Sequence, residues 1–147
     1  MSFRAITVVA ILVFAAAHHS TIRALQSEPP TRSVWDGVYT EEQAKRGAAL
    51  NKQHCASCHG EYLTGGEMAP PLAGPAFSAN WNGLSLGDIL ERIRITMPLD
   101  HPGALTRQQN ADVLAYILSV NKFPVGKAEL ARQTEILKQV KFVSMKP

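Results

Sequence analysis

The chain has little cysteine: two residues in 147, Cys55 and Cys58, which could close only one very short loop. A bridge that short removes little entropy from the unfolded chain, so a disulfide-framed scaffold is excluded and the thiols are read as chemistry. Charge is also sparse, at 18% of residues, with 15 Lys and Arg against 12 Asp and Glu. Arg4 and Arg23 fall in a segment expected to be removed, which leaves 13 or 14 basic residues against 12 acidic ones. That balance argues against a nucleic-acid binder. No stretch sustains period-2 alternation, no repeat or low-complexity tract is present, and no residue pair reads as a general acid and base around a substrate pocket. The length rules out a large enzyme, and 46% apolar residues suit one modest domain.

The N-terminus sets the expected compartment. After Arg4, the apolar run at residues 5–17 ends in Ala15, Ala16 and Ala17, an A-x-A-like site. A helix of this length rises about 20 Å, against a bilayer core of roughly 30 Å, so a secretory signal is favoured over a spanning helix. Cleavage is placed between residues 17 and 24, an uncleaved anchor being the alternative. The protein is therefore expected in the periplasm, with no membrane span in the mature chain. Residues 25–38 include the proline-rich SEPPTRS and read as a polar linker or arm. Residues 39–124 are expected to form the domain, and 125–147 a C-terminal extension.

Three helices stand out. Thr40 opens T-E-E-Q, a capping box with Gln43, and predicts a helix from about residue 41 to 54. Ser85 caps a second with Asp88, its apolar face being Leu86, Ile89, Leu90 and Ile93, and it stops before Met97-Pro98. Thr106 opens a third, carrying Ala111, Val113, Leu114, Ile117, Leu118 and Val120, with Pro124 as its stop. Residues 60–83, rich in glycine and proline, are expected to form a long loop that sustains no helix. Residues 129–140 could add a short helix, although their apolar residues are sparse. The class is all-α, with more loop than so small a bundle normally carries, so something besides side chains must fill its centre.

The chemistry lies in Cys55-Ala56-Ser57-Cys58-His59. C-x-x-C-H is the attachment signature of c-type haem: two thiols about one helical turn apart reach two vinyl groups, and the following histidine reaches the iron. Three other readings compete. A thioredoxin-like C-x-x-C belongs between a strand and the helix it opens, whereas this one closes a helix. Zinc would draw on Cys55, Cys58, His59 and His54, all crowded into one short segment. A plain disulfide leaves His59 and the long loop unexplained.

A haem iron held by His59 needs a sixth ligand. Met145 lies near the C-terminus, and Met68 follows His59 too closely for the chain to round the haem edge. Met97 ends a helix 38 residues on, with Pro98 fixing the backbone beyond it. It is the chosen ligand.

The motifs GAALNKQHCASCHG, APPLAG and TMPLDHPGALTRQQNADVLAYILSVNKFP resemble those of the class I mono-haem cytochrome c family, in particular the small cytochrome c domains associated with periplasmic quinoprotein dehydrogenases. The resemblance implies the class I cytochrome c fold: three main helices plus long loops wrapped around one covalently bound haem c. It places Gly47 where the first and last helices cross, packed by Val113 and Tyr116, although Asn51 stands where relatives often carry an aromatic. It implies that the Pro70 carbonyl accepts a hydrogen bond from His59, and that Leu72 presses on the haem. Trp81 is expected either to donate to a haem propionate or simply to pack. His54 and His101 read as surface residues. The resulting expectation is an electron carrier between a dehydrogenase donor and a cytochrome or oxidase acceptor. The alternatives are a permanent electron-transfer subunit of a dehydrogenase complex, or a small-ligand-binding haem protein with a labile Met97.

Overall fold

The computed structural model describes residues 32–147. The signal-like run at 5–17 and the cleavage region lie outside the described residues. In chain order the elements are strand β1 (Arg32–Ser33), a 3-10 turn (Val34–Asp36), helices α1 (Glu41–His54), α2 (Ala56–His59), α3 (Gly74–Trp81), α4 (Leu86–Thr96), α5 (Arg107–Val120) and α6 (Thr134–Leu137), and strand β2 (Val140–Lys141).

The three expected helices form because each has a strong start. At α4 and α5 the capping boxes Ser85/Asp88 and Thr106/Gln109 are complete. At α1 only half of one forms: Thr40 Oγ1 accepts from the Gln43 backbone N–H at 3.2 Å. The Gln43 side chain is buried and turns elsewhere, its Oε1 accepting from Leu130 N–H at 2.6 Å and its Nε2 donating to Leu130 C=O at 3.1 Å. Among the described residues the Leu130 backbone has no other hydrogen-bond partner, and it takes the Gln43 side chain from the local cap.

Helices α1 and α5 cross at the centre, and Gly47 permits the approach. A β-carbon there would collide with the backbone carbonyl of Asp112 and lie 2.9 Å from Tyr116 Cβ. Tyr116 thus stands where expected, while Asp112 takes the place assigned to Val113. Asp112 is buried and held by the Arg46 fork at 3.0 and 3.1 Å and by Gln108 Nε2 at 2.9 Å. The same guanidinium reaches Glu129 at 2.8 Å, tying the following segment to the crossing.

Two expectations fail. Residues 60–83 do sustain a helix, α3, because Gly74 and Pro75 sit in its first turn, where a missing N–H costs nothing, and A-F-S-A-N-W follows without a breaker. The stretches separated as arm and extension are also packed into the folded body from residue 32 onward. Val34 and Val38 are buried, β1 pairs in parallel with β2, and Trp35 Nε1 donates to Val143 C=O at 2.9 Å. Phe142 pairs with the backbone of Gly83 and Leu84 and is fully buried. Trp35, Phe123, Phe142, Phe77 and Trp81 form a chain of ring contacts with centroids 4.9 to 6.3 Å apart. Sparse apolar residues suffice in the tail because Leu130, Leu137, Val140 and Phe142 each point into this body. Among the described residues no helix is long and apolar enough to cross a membrane.

Candidate functional site

The end of α1 delivers the attachment motif. Cys55 caps α1 and starts α2, a single turn that carries Cys58 and His59 onto one wall of a cavity. This is not the strand-to-helix setting of a thioredoxin-like pair. Both cysteines are free thiols. Burial, with Cys58 adding, pushes the Cys55 thiol up to about 11, so it remains neutral.

His59 is buried, and its Nδ1 lies 2.9 Å from the carbonyl oxygen of Pro70. A carbonyl only accepts, so Nδ1 carries the proton and Nε2 keeps its lone pair for a metal. The loop is shaped to present that carbonyl. Gly65, at φ +74°, lets the Pro70–Pro71 peptide approach; a β-carbon would stand 2.5 Å from Pro71 N. Beyond it, Asn121 on the end of α5 donates to Leu72 C=O at 3.0 Å and accepts from Gly74 N–H at 3.0 Å. Leu72 is thereby set against the cavity.

Another stretch of the lining begins where α4 stops. Met97 is its C-cap, in extended backbone at φ −123°, ψ 152°, and the chain continues along the cavity through Pro98, Leu99, Asp100, His101 and Ala104. Ile93, Val113 and Ile117 add apolar surface from α4 and α5. The cavity opens to solvent and has a volume of about 780 Å³, in the range of pockets that hold a cofactor. Two thiols, the His59 imidazole and two thioethers, Met68 and Met97, share its walls with aliphatic side chains and with His54 and His101, and among the described residues no Lys or Arg does. The donor set and the lining fit a haem. Among the described residues no three His, Cys, Asp or Glu side chains converge as a metal cluster.

Cys55, Cys58, His59, Pro70, Leu72 and Met97 thus all line one cavity. Met68 lines it too but is 78% exposed, and Met145 does not line it. Trp81 is absent from the lining and sits on α3 with its ring tilted against Phe77, the packing half of the expectation. His101 is exposed, as expected of a surface residue, and His54 is half-buried; both also border the cavity. For His54 the adjacency to Cys55 was an available signal. The Gly65 requirement and the Asn121 clamp left no local mark in the sequence.

The family model described as cytochrome C oxidase, cbb3-type, subunit III matches residues 42–117, just over half of the chain. No curated protein matches. Among solved structures, the sulfane dehydrogenase SoxCD from Paracoccus pantotrophus is similar with TM-score 0.48 and 22% identity, over 76% of this chain. The chain spans 60% of that protein's length. With its matched segment running from α1 through the attachment motif into α5, the chain belongs to this family of mono-haem c-type cytochromes, electron-transfer proteins with covalently bound haem c.

Proposed function

We propose that this protein is a periplasmic one-electron carrier, with haem c held through Cys55 and Cys58 and its iron between His59 Nε2 and the Met97 thioether. It would take electrons from a dehydrogenase and pass them to a downstream cytochrome or oxidase. The observation that carries the reading is the single cavity that gathers Cys55, Cys58, His59 and Met97, with His59 Nδ1 already committed to Pro70.

When bound, haem c supplies one-electron exchange between ferric and ferrous iron, at the relatively high potential that His/Met ligation favours. The chain's own residues do the rest. Pro70 fixes the imidazole orientation and raises its basicity. Leu72, Ile93, Val113 and Ile117 give the cavity an apolar lining, and the Met97 thioether would serve as an iron ligand in competition with any small molecule. At the mouth, Met68 and Leu99 are exposed apolar side chains. They suit a small, transient contact with a redox partner, and the near-balanced charge fits a modest salt effect on transfer rate. The apolar run at 5–17, with its small-residue end, supports export.

The test is expression with and without the run at 5–17 in a host with a haem-ligation system. Exported protein should stain for haem on a denaturing gel at the processed mass, in the periplasmic fraction, and Cys55→Ala with Cys58→Ala should abolish the stain. Folded, colourless wild-type protein would overturn the haem assignment, and haem-loaded protein confined to the cytoplasm would overturn the localisation.

A further inference from the structure

Two buried asparagines have the same peculiarity. Asn51 on α1 and Asn110 on α5 are each 1% exposed, and neither Oδ1 has a hydrogen-bond partner among the described residues. An unpaired buried acceptor is costly, and a leucine of similar size would avoid that cost. What asparagine adds is its amide donors, and both face backbone carbonyls, which only accept. Asn51 Nδ2 donates to Glu61 C=O at 3.1 Å, two residues past His59. Asn110 Nδ2 donates to Leu105 C=O at 3.1 Å and Thr106 C=O at 2.9 Å, where the chain returns from Met97.

The two clamps differ in redundancy. Glu61 C=O also accepts from the Tyr116 hydroxyl at 3.0 Å, and the same loop is held by Asn121 and by the Pro70–His59 bond. Leu105 is buried in the core, and the other hydrogen bonds of residues 98–105 are those of their own turns, such as His101 N–H to Pro98 C=O. Among the described residues, the Asn110–Leu105 bond is their only side-chain hydrogen bond to another element. Asn110 also shares its helix face with Val113 and Ile117, three and seven residues on, which line the cavity.

We infer that Asn110 is a positioning residue for the sixth ligand: by pinning Leu105 and Thr106 to α5 it fixes the return of the loop that carries Met97. The inference rests on the assignment of Met97 to the iron. The experiment compares wild type, Met97→Ala, Asn110→Leu, Asn110→Ser and Asn51→Leu as haem-loaded proteins. Carbon monoxide binding is measured in the reduced state, and the far-red sulfur-to-iron band in the oxidised state.

Asn110→Leu should raise the apparent affinity for carbon monoxide about tenfold, the shift expected for one hydrogen bond of ordinary strength, and weaken the band. Asn110→Ser, whose hydroxyl can still back-bond four residues earlier to Thr106, removes the Leu105 bond with less disturbance and should move both readings the same way. Asn51→Leu should leave both near wild type, because Tyr116 still holds Glu61. Asn110 variants identical to wild type, or an equal effect in Asn51→Leu, overturn the inference alone. A wild type without the band, or a Met97→Ala that keeps it, overturns the ligand assignment beneath it. If Asn110→Leu does not fold, Asn110→Ser decides.

Discussion

His59 Nδ1 lies 2.9 Å from the carbonyl oxygen of Pro70, eleven residues along the chain, and a glycine makes that separation possible. At Gly65 the positive φ and the approach of Pro71 N leave no room for a β-carbon. Gly65→Ala should push the Pro70–Pro71 peptide off the imidazole. With less electron density returned to the ring, ferric iron loses stabilisation, so the reduction potential should rise. Potentiometric titration of the haem-loaded variant checks this; an unchanged or lower potential counts against a role for the bond.

Met97 and Met68 line the same cavity, and spectroscopy separates them. Met97→Ala should lose the far-red sulfur band when oxidised, bind carbon monoxide when reduced and show a lower potential, because the soft thioether favours ferrous iron. Met68→Ala should retain wild-type behaviour in all three. Survival of the band in Met97→Ala with its loss in Met68→Ala reverses the assignment.

Gly47→Ala places a methyl against the Asp112 carbonyl, and Asp112 cannot retreat while Arg46 and Gln108 hold its carboxylate. Overpacking of this kind costs about 1–3 kcal/mol or more. The variant should accumulate less haem-loaded protein and melt several degrees lower, as followed by circular dichroism. A wild-type melting curve would mean that the helix crossing does not depend on Gly47.

Asp88 contributes to the acid sensitivity of α4, as does Glu91, held low by Arg94. The Ser85 hydroxyl at 2.7 Å and backbone N–H at 2.9 Å hold the Asp88 carboxyl below the usual aspartate range. A depressed folded-state value stabilises above the unfolded value near 4, and the contribution is lost as pH falls through the lower one. Asp88→Asn should therefore cost about 1 kcal/mol at pH 7, typical of a helix cap, and progressively less toward pH 2. Thermal melts at both pH values test it; an equal loss at both would mean that the charge is not what matters.

The caps at Thr40, Ser85 and Thr106 were legible because each is a contact within one turn of chain. Helix α3 was obscured by Gly74 and Pro75, residues that stop a helix in its middle and are tolerated at its start. The same helix sets the direction of Trp81, which left its packing and propionate readings level from the sequence. The roles of Pro70 and Leu72 came from resemblance, since nothing in A-P-P-L by itself says which way a carbonyl faces. The tail was underestimated because Leu130, Val140 and Phe142 are anchored by partners far away in sequence, where periodicity carries no signal. Gln43 shows the same limit: a capping-box residue by spacing, it was claimed by a backbone 87 residues distant.

That long reach bears on how the protein matures. Gln43 waits for Leu130, and Trp35 waits for Val143, 108 residues later. A chain made from its N-terminus therefore presents Cys55, Cys58 and His59 well before α1 can be sealed, and closure of such distant pairs is slow compared with local helix formation. During that interval the two thiols are open to whatever machinery attaches haem, and the segment carrying Leu130 and Val143 is the one that shuts the door.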